Sequence, residues 1–254
     1  MATPLNPPAP TPSAPIETAK IGDFGRVTGV LFNPRATFQD IVARPTWLVP
    51  LVVLVIFSIA VIALFSQRVG WRSFMERQFD KDPRVSQLSG EEREKDLDRA
   101  IKITQPIVYA AAVLGTFVAP VVVSAVLLLA FNLLAGTRIE FKTAFAIVAF
   151  SWMPYLIHAL LSILLIFLKS PESIDLEHLV ASNPGAFLSS DSAKWLLTLA
   201  TSVDLFTLWV IALQGLGFSL TNPKKISFAK GVTIVAIVWA LYVAVKVGWV
   251  GAFS

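Results

Sequence analysis

Residues 47–66 read WLVPLVVLVIFSIAVIALFS, twenty positions without one charged side chain. A hydrocarbon core about 30 Å thick is crossed by about 20 helical residues rising 1.5 Å each. The stretch is therefore expected to span a bilayer as a helix, because lipid offers no partner to an open strand edge or an irregular backbone. Four more runs meet the same condition, at 107–135, 144–168, 195–220 and 229–250. The expected fold is an all-α, polytopic bundle of five transmembrane helices with short amphipathic interface helices. An odd number of spans puts the two ends of the chain on opposite sides.

Composition agrees. The chain has 254 residues, of which 55% are apolar and 15% charged, against roughly 25% charged in soluble domains. Mean hydropathy is +0.69. The first 20 residues hold six prolines and no apolar core of a signal peptide, so residues 1–22 are expected to form a disordered tail and 23–254 the membrane domain. The net charge of +4 is not gathered into a basic stripe. It lies beside the apolar runs, which points to headgroups and topology rather than to nucleic acid.

Catalytic chemistry finds no foothold. Cysteine is absent and the two histidines, His158 and His178, have no zinc-protease spacing. No nucleophile elbow or phosphate-cradling glycine loop occurs either. The chain is therefore expected to be no enzyme and to hold no cofactor, metal or catalytic residue.

The loop at 67–106 carries nine basic and eight acidic residues and is expected to be a charged, largely helical segment. Within it Ser89-Gly90-Glu91-Glu92 fits a capping box, followed by the opposite charges Glu91/Lys95 and Asp98/Lys102. The second span thus begins as an exposed helix, with Pro106 as its junction or kink. In the third loop, Ser170-Pro171 is expected to open a short helix to about Ala181 that contains His178. Lys224, Lys225 and Lys230 stand without an acid in the fourth loop, whereas the third is net acidic. Weighing these cleaner loops above 67–106 places the N-terminus in the cytoplasm.

Immediately before the first span lies NPRATFQDIVARP, residues 33–45. Asn33 and Pro34 have the character of an N-cap and first-turn pair. Phe38, Ile41 and Val42 share one side of the resulting helix. The expected position is the headgroup boundary, with Arg35 and Arg44 near anionic phosphates, on the bundle's cytoplasmic surface. The segment Asn222-Pro223-Lys224-Lys225, followed by Phe228, echoes it on the same membrane face.

Inside the spans, rows of small residues are expected to mark helix contacts. Ala236, Ala240, Ala244 and Gly248 repeat every four residues in the last span, and Ala111, Gly115 and Ala119 do so in the second. Gly215 and Gly217 are expected only to ease the end of the fourth span. Three ionisable groups lie within spans. Lys246 is near a span end and is expected to snorkel. Asp204 and His158 fall at nearly the same depth from the third loop, roughly 13 and 16 Å in, and burying charge there is costly. His158 shares a face with Ser151, Pro154 and Ser162, Asp204 one with Thr207. Pro154 is expected to leave the Phe150 carbonyl without its usual donor. The two faces are expected to meet or to line a small hydrated cavity, either fixing helix register or carrying protons or ions.

Three segments together resemble the Ypt/Rab-interacting (YIP domain) five-span membrane proteins, and their prokaryotic relatives in particular. These are LFNPRATFQDIVARPTW, LLAGTRIEFKTAFAIVAFSWMPYLI with Ser151 and Pro154, and DLFTLWVIALQGLGFSL followed by FAKGVTIVAIVWALY, with Asp204, Phe206 and Trp209. The resemblance runs from about residue 31 to 242. It implies a non-enzymatic helical bundle with a cytoplasmic N-terminus, in the plasma membrane if the source is prokaryotic. The function expected from residues and resemblance together is a membrane scaffold or adaptor that binds lipid and other membrane proteins, a second copy of the chain among them. The alternative is a small transporter or channel that uses the polar faces around His158 and Asp204.

Overall fold

The computed structural model describes residues 20–80, 85, 88–174, 179–189 and 192–253. The expected disordered tail up to residue 19 lies outside them, as does His178. Among the described residues all regular structure is helical. Two short helices, α1 (Asp23–Phe32) and α2 (Pro34–Ala43), precede the first span, α3 (Leu48–Arg68). Then come α4 (Trp71–Asp80) and α5 (Gly90–Leu134), which runs 45 residues. They are followed by α6 (Phe141–Ser151), α7 (Pro154–Leu168), α8 (Lys194–Ser202), α9 (Leu205–Thr221) and α10 (Phe228–Phe253).

Among the described residues four units are long and apolar enough to cross a membrane: α3, α5, α6 with α7 as one run, and α10. A fifth exists if α8 and α9, bent by 48°, count as one span. Unpaired apolar side chains such as Ile56, Leu114, Leu129, Leu164, Leu241 and Val245 belt the outside. A soluble protein would not leave so much apolar surface bare. The molecule is a polytopic membrane helical bundle.

Local signals in the sequence set several helix ends. Ser89 Oγ accepts from the Glu92 amide at 3.3 Å, and the Glu92 carboxylate accepts from the Ser89 amide at 3.1 Å, so the capping box forms as expected. Lys95 pairs with Glu91 at 2.6 Å. Pro106 and Pro120 lie within α5 without ending it. The charged first part of α5 packs on α4, where Arg72 meets Glu76, Glu94 and Asp98.

Elsewhere tertiary packing overrides the expectation. In the third loop a 3-10 turn forms at Pro171–Ser173 and stops at an extended Ile174, and a second forms at Pro184–Phe187; residues 175–178 of the expected helix lie outside the described residues. The span expected at 144–168 starts at Phe141 and breaks at Trp152 and Met153, ahead of Pro154. That turn supplies the donor that proline removes, because the Met153 amide donates to the Phe150 carbonyl at 3.2 Å. The span expected at 195–220 breaks at Val203 and Asp204.

The main core joins α1, α2, α5, α6, α9 and α10, with Phe131 and Phe218 stacked 4.3 Å apart at its centre. Its tightest crossing is between α9 and α10. A Cβ on Gly231 would collide with the Gly215 carbonyl oxygen, and one on Gly215 would lie 2.6 Å from the Val232 backbone nitrogen. Gly217 likewise faces Ile147 and Phe38. These glycines are contact points rather than loosened helix ends. The small-residue rows do not pack within the chain: Ala111, Gly115, Ala119, Ala240, Ala244 and Gly248 are exposed and Ala236 is half-buried. A second cluster of Phe65, Val69, Ile166, Ile174 and Leu179 closes the opposite end of the bundle beneath α4. We call the end bearing α1 and α2 the near face and this one the far face.

Candidate functional site

Two polar constructions stand out, one on each side of the bundle. The first fastens α1 and α2 to the near face. Phe38 and Ile41 of α2 are fully buried against α6 and α9, so its apolar side lies in the protein core and not in the headgroup boundary. Asn33 makes no side-chain cap; instead its carbonyl accepts from the Thr37 amide and hydroxyl, at 3.2 and 2.8 Å.

A buried ion pair then fixes α1 against α2. Arg26 is 2% exposed, and its guanidinium donates to Asp40 Oδ2 at 2.7 Å, to Thr46 Oγ1 at 2.7 Å and to Asp23 Oδ1 at 3.2 Å. Arg44 takes the other oxygen of Asp40 and so turns away from the expected phosphate contact. Burial pushes the Arg26 pKa below its ordinary value while Asp23 opposes the shift; an arginine stays charged regardless. Arg35 and Asn33 remain exposed. Neither α1 nor Arg26 was anticipated. The available signal was Asp23 opening an apolar pattern of Val27 and Val30, with a basic residue on the same turn.

The second construction is the break between α8 and α9. Asp204 caps α9, its Oδ1 accepting from the amides of Phe206 at 2.8 Å and Thr207 at 3.2 Å. Ser182 of the third loop donates its hydroxyl to the other oxygen of Asp204. The Ser182 carbonyl accepts from the Leu205 amide at 3.0 Å. The carboxylate thus does two structural tasks: it starts a helix and ties down a loop. A Ser-Val-Asp ahead of an apolar run is the sequence signature of such a cap.

His158 and Asp204 line one cavity of about 210 Å³, together with Tyr155, Ser182, Asn183 and Thr207. They do not bond to each other. His158 meets Phe206 edge to face at 5.2 Å, and the Tyr155 and Thr207 hydroxyls pair at 3.3 Å. Ser151 and Ser162 donate within their own helices, to Ile147 and His158 carbonyls at 2.7 and 2.9 Å, and stay apart from the cavity. Among the described residues no cluster of side chains has the make-up of a metal site.

No curated protein and no solved structure matches the chain. The family model described as Yip1 domain matches residues 28–250. That range takes in α2, every unit able to cross the membrane and the capped break at Asp204, and the chain accordingly belongs to the Yip1 domain family.

Proposed function

We propose that this multi-pass membrane protein is a non-enzymatic adaptor, whose near face binds other membrane proteins and anionic lipid. The observation that carries this reading is the α1–α2 pad. Its inner side is buried and ion-paired, while its outer side presents Phe24 and Phe32, 76% and 84% exposed, beside Arg35. Arg138, Lys224, Lys225 and Lys230 lie exposed on the same face. A surface already held rigid loses little conformational freedom on binding. Aromatic anchors ringed by basic side chains suit both an anionic leaflet and an acidic partner. The concentration of lysines without an acidic partner among the described residues, two of them donating to the Gly136 and Lys225 carbonyls, favours a cytoplasmic near face, and with it a cytoplasmic N-terminus.

A photoreactive residue placed at Phe24 or Phe32 in native membranes is expected to give discrete protein adducts. The same group at Leu161, an apolar position on α7, is expected to give lipid adducts alone. Identical adducts from all three positions would remove the pad as a docking surface.

A further inference from the structure

The cavity shared by His158 and Asp204 presents more acceptors than its walls supply with donors. Asp204 accepts from the Phe206 and Thr207 amides and from the Ser182 hydroxyl, and among the described residues no charged group pairs with it. A carboxylate has about four lone-pair sites, so one stays open. Asn183 of the third loop adds a second acceptor, because its Oδ1 is buried without a partner among the described residues. Leaving a buried acceptor without a donor is costly, so one beside a native cavity calls for a donor.

The lining itself contains that donor. The His158 imidazole meets Phe206 edge to face at 5.2 Å and makes no hydrogen bond to another described residue. A neutral imidazole offers one N–H and one acceptor, whereas the imidazolium offers two N–H groups. The neutral ring serves one waiting acceptor at most and brings another acceptor of its own. Only the cation serves both, and it carries the charge that Asp204 lacks. Histidine is the side chain whose charge ordinarily changes between about pH 5 and 8.

Other charges among the described residues lie apart. On α7, Tyr155 faces the cavity with its hydroxyl paired to Thr207, and Lys169 follows the helix about 16 Å beyond His158. Helix α3, packed along α7, brings Arg68, which lies over the Phe167 ring at 5.7 Å, more than two turns past His158. Helix α9 brings no charge besides its cap, and third-loop residues 179–189 bring none. Glu172 is exposed on its 3-10 turn, and Asp175, Glu177 and His178 lie outside the described residues.

We propose that protonation of His158 latches α7 to the broken span. The imidazolium donates to the Asp204 carboxylate and to Asn183 Oδ1, directly or through a bridging water. One side chain then ties together α7, the third loop and the start of α9. With the ring neutral, these groups stand across the cavity from one another and the break is held by its own cap and by Ser182. The latch is therefore complete at low pH and is lost as pH rises through the His158 titration. It stands or falls without the α1–α2 pad.

The test follows amide hydrogen exchange of the full chain in lipid nanodiscs at pH 5 and pH 8, as protection factors corrected for intrinsic rates. The reporter is the Leu205 amide, which donates to the Ser182 carbonyl. In the wild type it is expected to be about tenfold better protected at pH 5, with Leu213 unchanged. His158→Gln has no charge to gain and is expected to be equally protected at both pH values. Asp204→Asn keeps an oxygen for the cap but loses the charge, and is expected to lose most of the response. His178→Gln is expected to respond as the wild type does. A wild type without the response overturns the proposal, as does a shift of equal size at Leu213. So does a response that survives in either His158→Gln or Asp204→Asn, or one that disappears in His178→Gln.

Discussion

Replacing Arg26 by Met keeps the volume of the side chain and removes its charge, which should free α1 without unfolding the bundle. The variant loses the guanidinium bonds to Asp40, Thr46 and Asp23. It leaves the Asp40 carboxylate, 12% exposed, with Arg44 as its charged partner. Removing one member of a buried ion pair costs about 3–5 kcal/mol. Arg44 and the residual solvent contact reduce this to about 2–3 kcal/mol. Val27 and Val30 still favour the docked position through their burial, so the expected outcome is more frequent local opening. A loss of 2–3 kcal/mol multiplies the opened population by about 30 to 150. Amide hydrogen exchange of Val27 and Val30 should accelerate by that factor, while the α9 amides around Leu213 hold their rates. Adding Asp40→Asn removes the stranded carboxylate and should restore part of the protection. Unchanged exchange in α1, or equal acceleration in α9, would refute the idea that this ion pair fastens α1 specifically.

At the α9–α10 crossing, Gly231→Val puts two methyl groups and a Cβ against the Gly215 backbone, which cannot rotate away. Destabilisation of about 1–3 kcal/mol or more is expected as a lowered unfolding midpoint, whereas Gly248→Val, which faces no atom within 4 Å, should be near neutral. Asp204→Asn retains an oxygen for the Phe206 and Thr207 amides and should be tolerated, but Asp204→Ala should cost about 1–2 kcal/mol by thermal unfolding. Equal stability of the two Asp204 variants would show that the cap contributes nothing.

What could be read along the chain were features that local physics decides. A run such as 47–66 has no stable state in water, and in lipid a helix satisfies its backbone alone; hence the helical membrane bundle follows from composition. The Ser89/Glu92 capping box is likewise complete within four residues. Depth along a helix is also a one-dimensional quantity, so His158 and Asp204 could be placed at one level before any packing was known.

Rotation, breaks and partners were a different matter, because they depend on what each helix face meets across the bundle. The Ala236–Gly248 row has the period of a packing seam, yet α10 turns other residues inward and closes on α9 through Gly231. The α2 pattern of Phe38 and Ile41 fits a lipid interface and a protein core equally well, since both are apolar; only the presence of α6 and α9 beneath it decides for the core. Arg26 and Asp40 are 14 residues apart in sequence and become one buried pair only when α1 folds back on α2. Asp204 looked like a charge buried in mid-helix; Ser182, 22 residues earlier, turns it into the hinge of a broken span. Sequence determined which segments enter the membrane as helices, because that is a transfer of each segment from water to lipid. Tertiary structure decided which sides of them touch, because in lipid no hydrophobic gradient favours one apolar face over another and close shape and hydrogen-bond fit must choose.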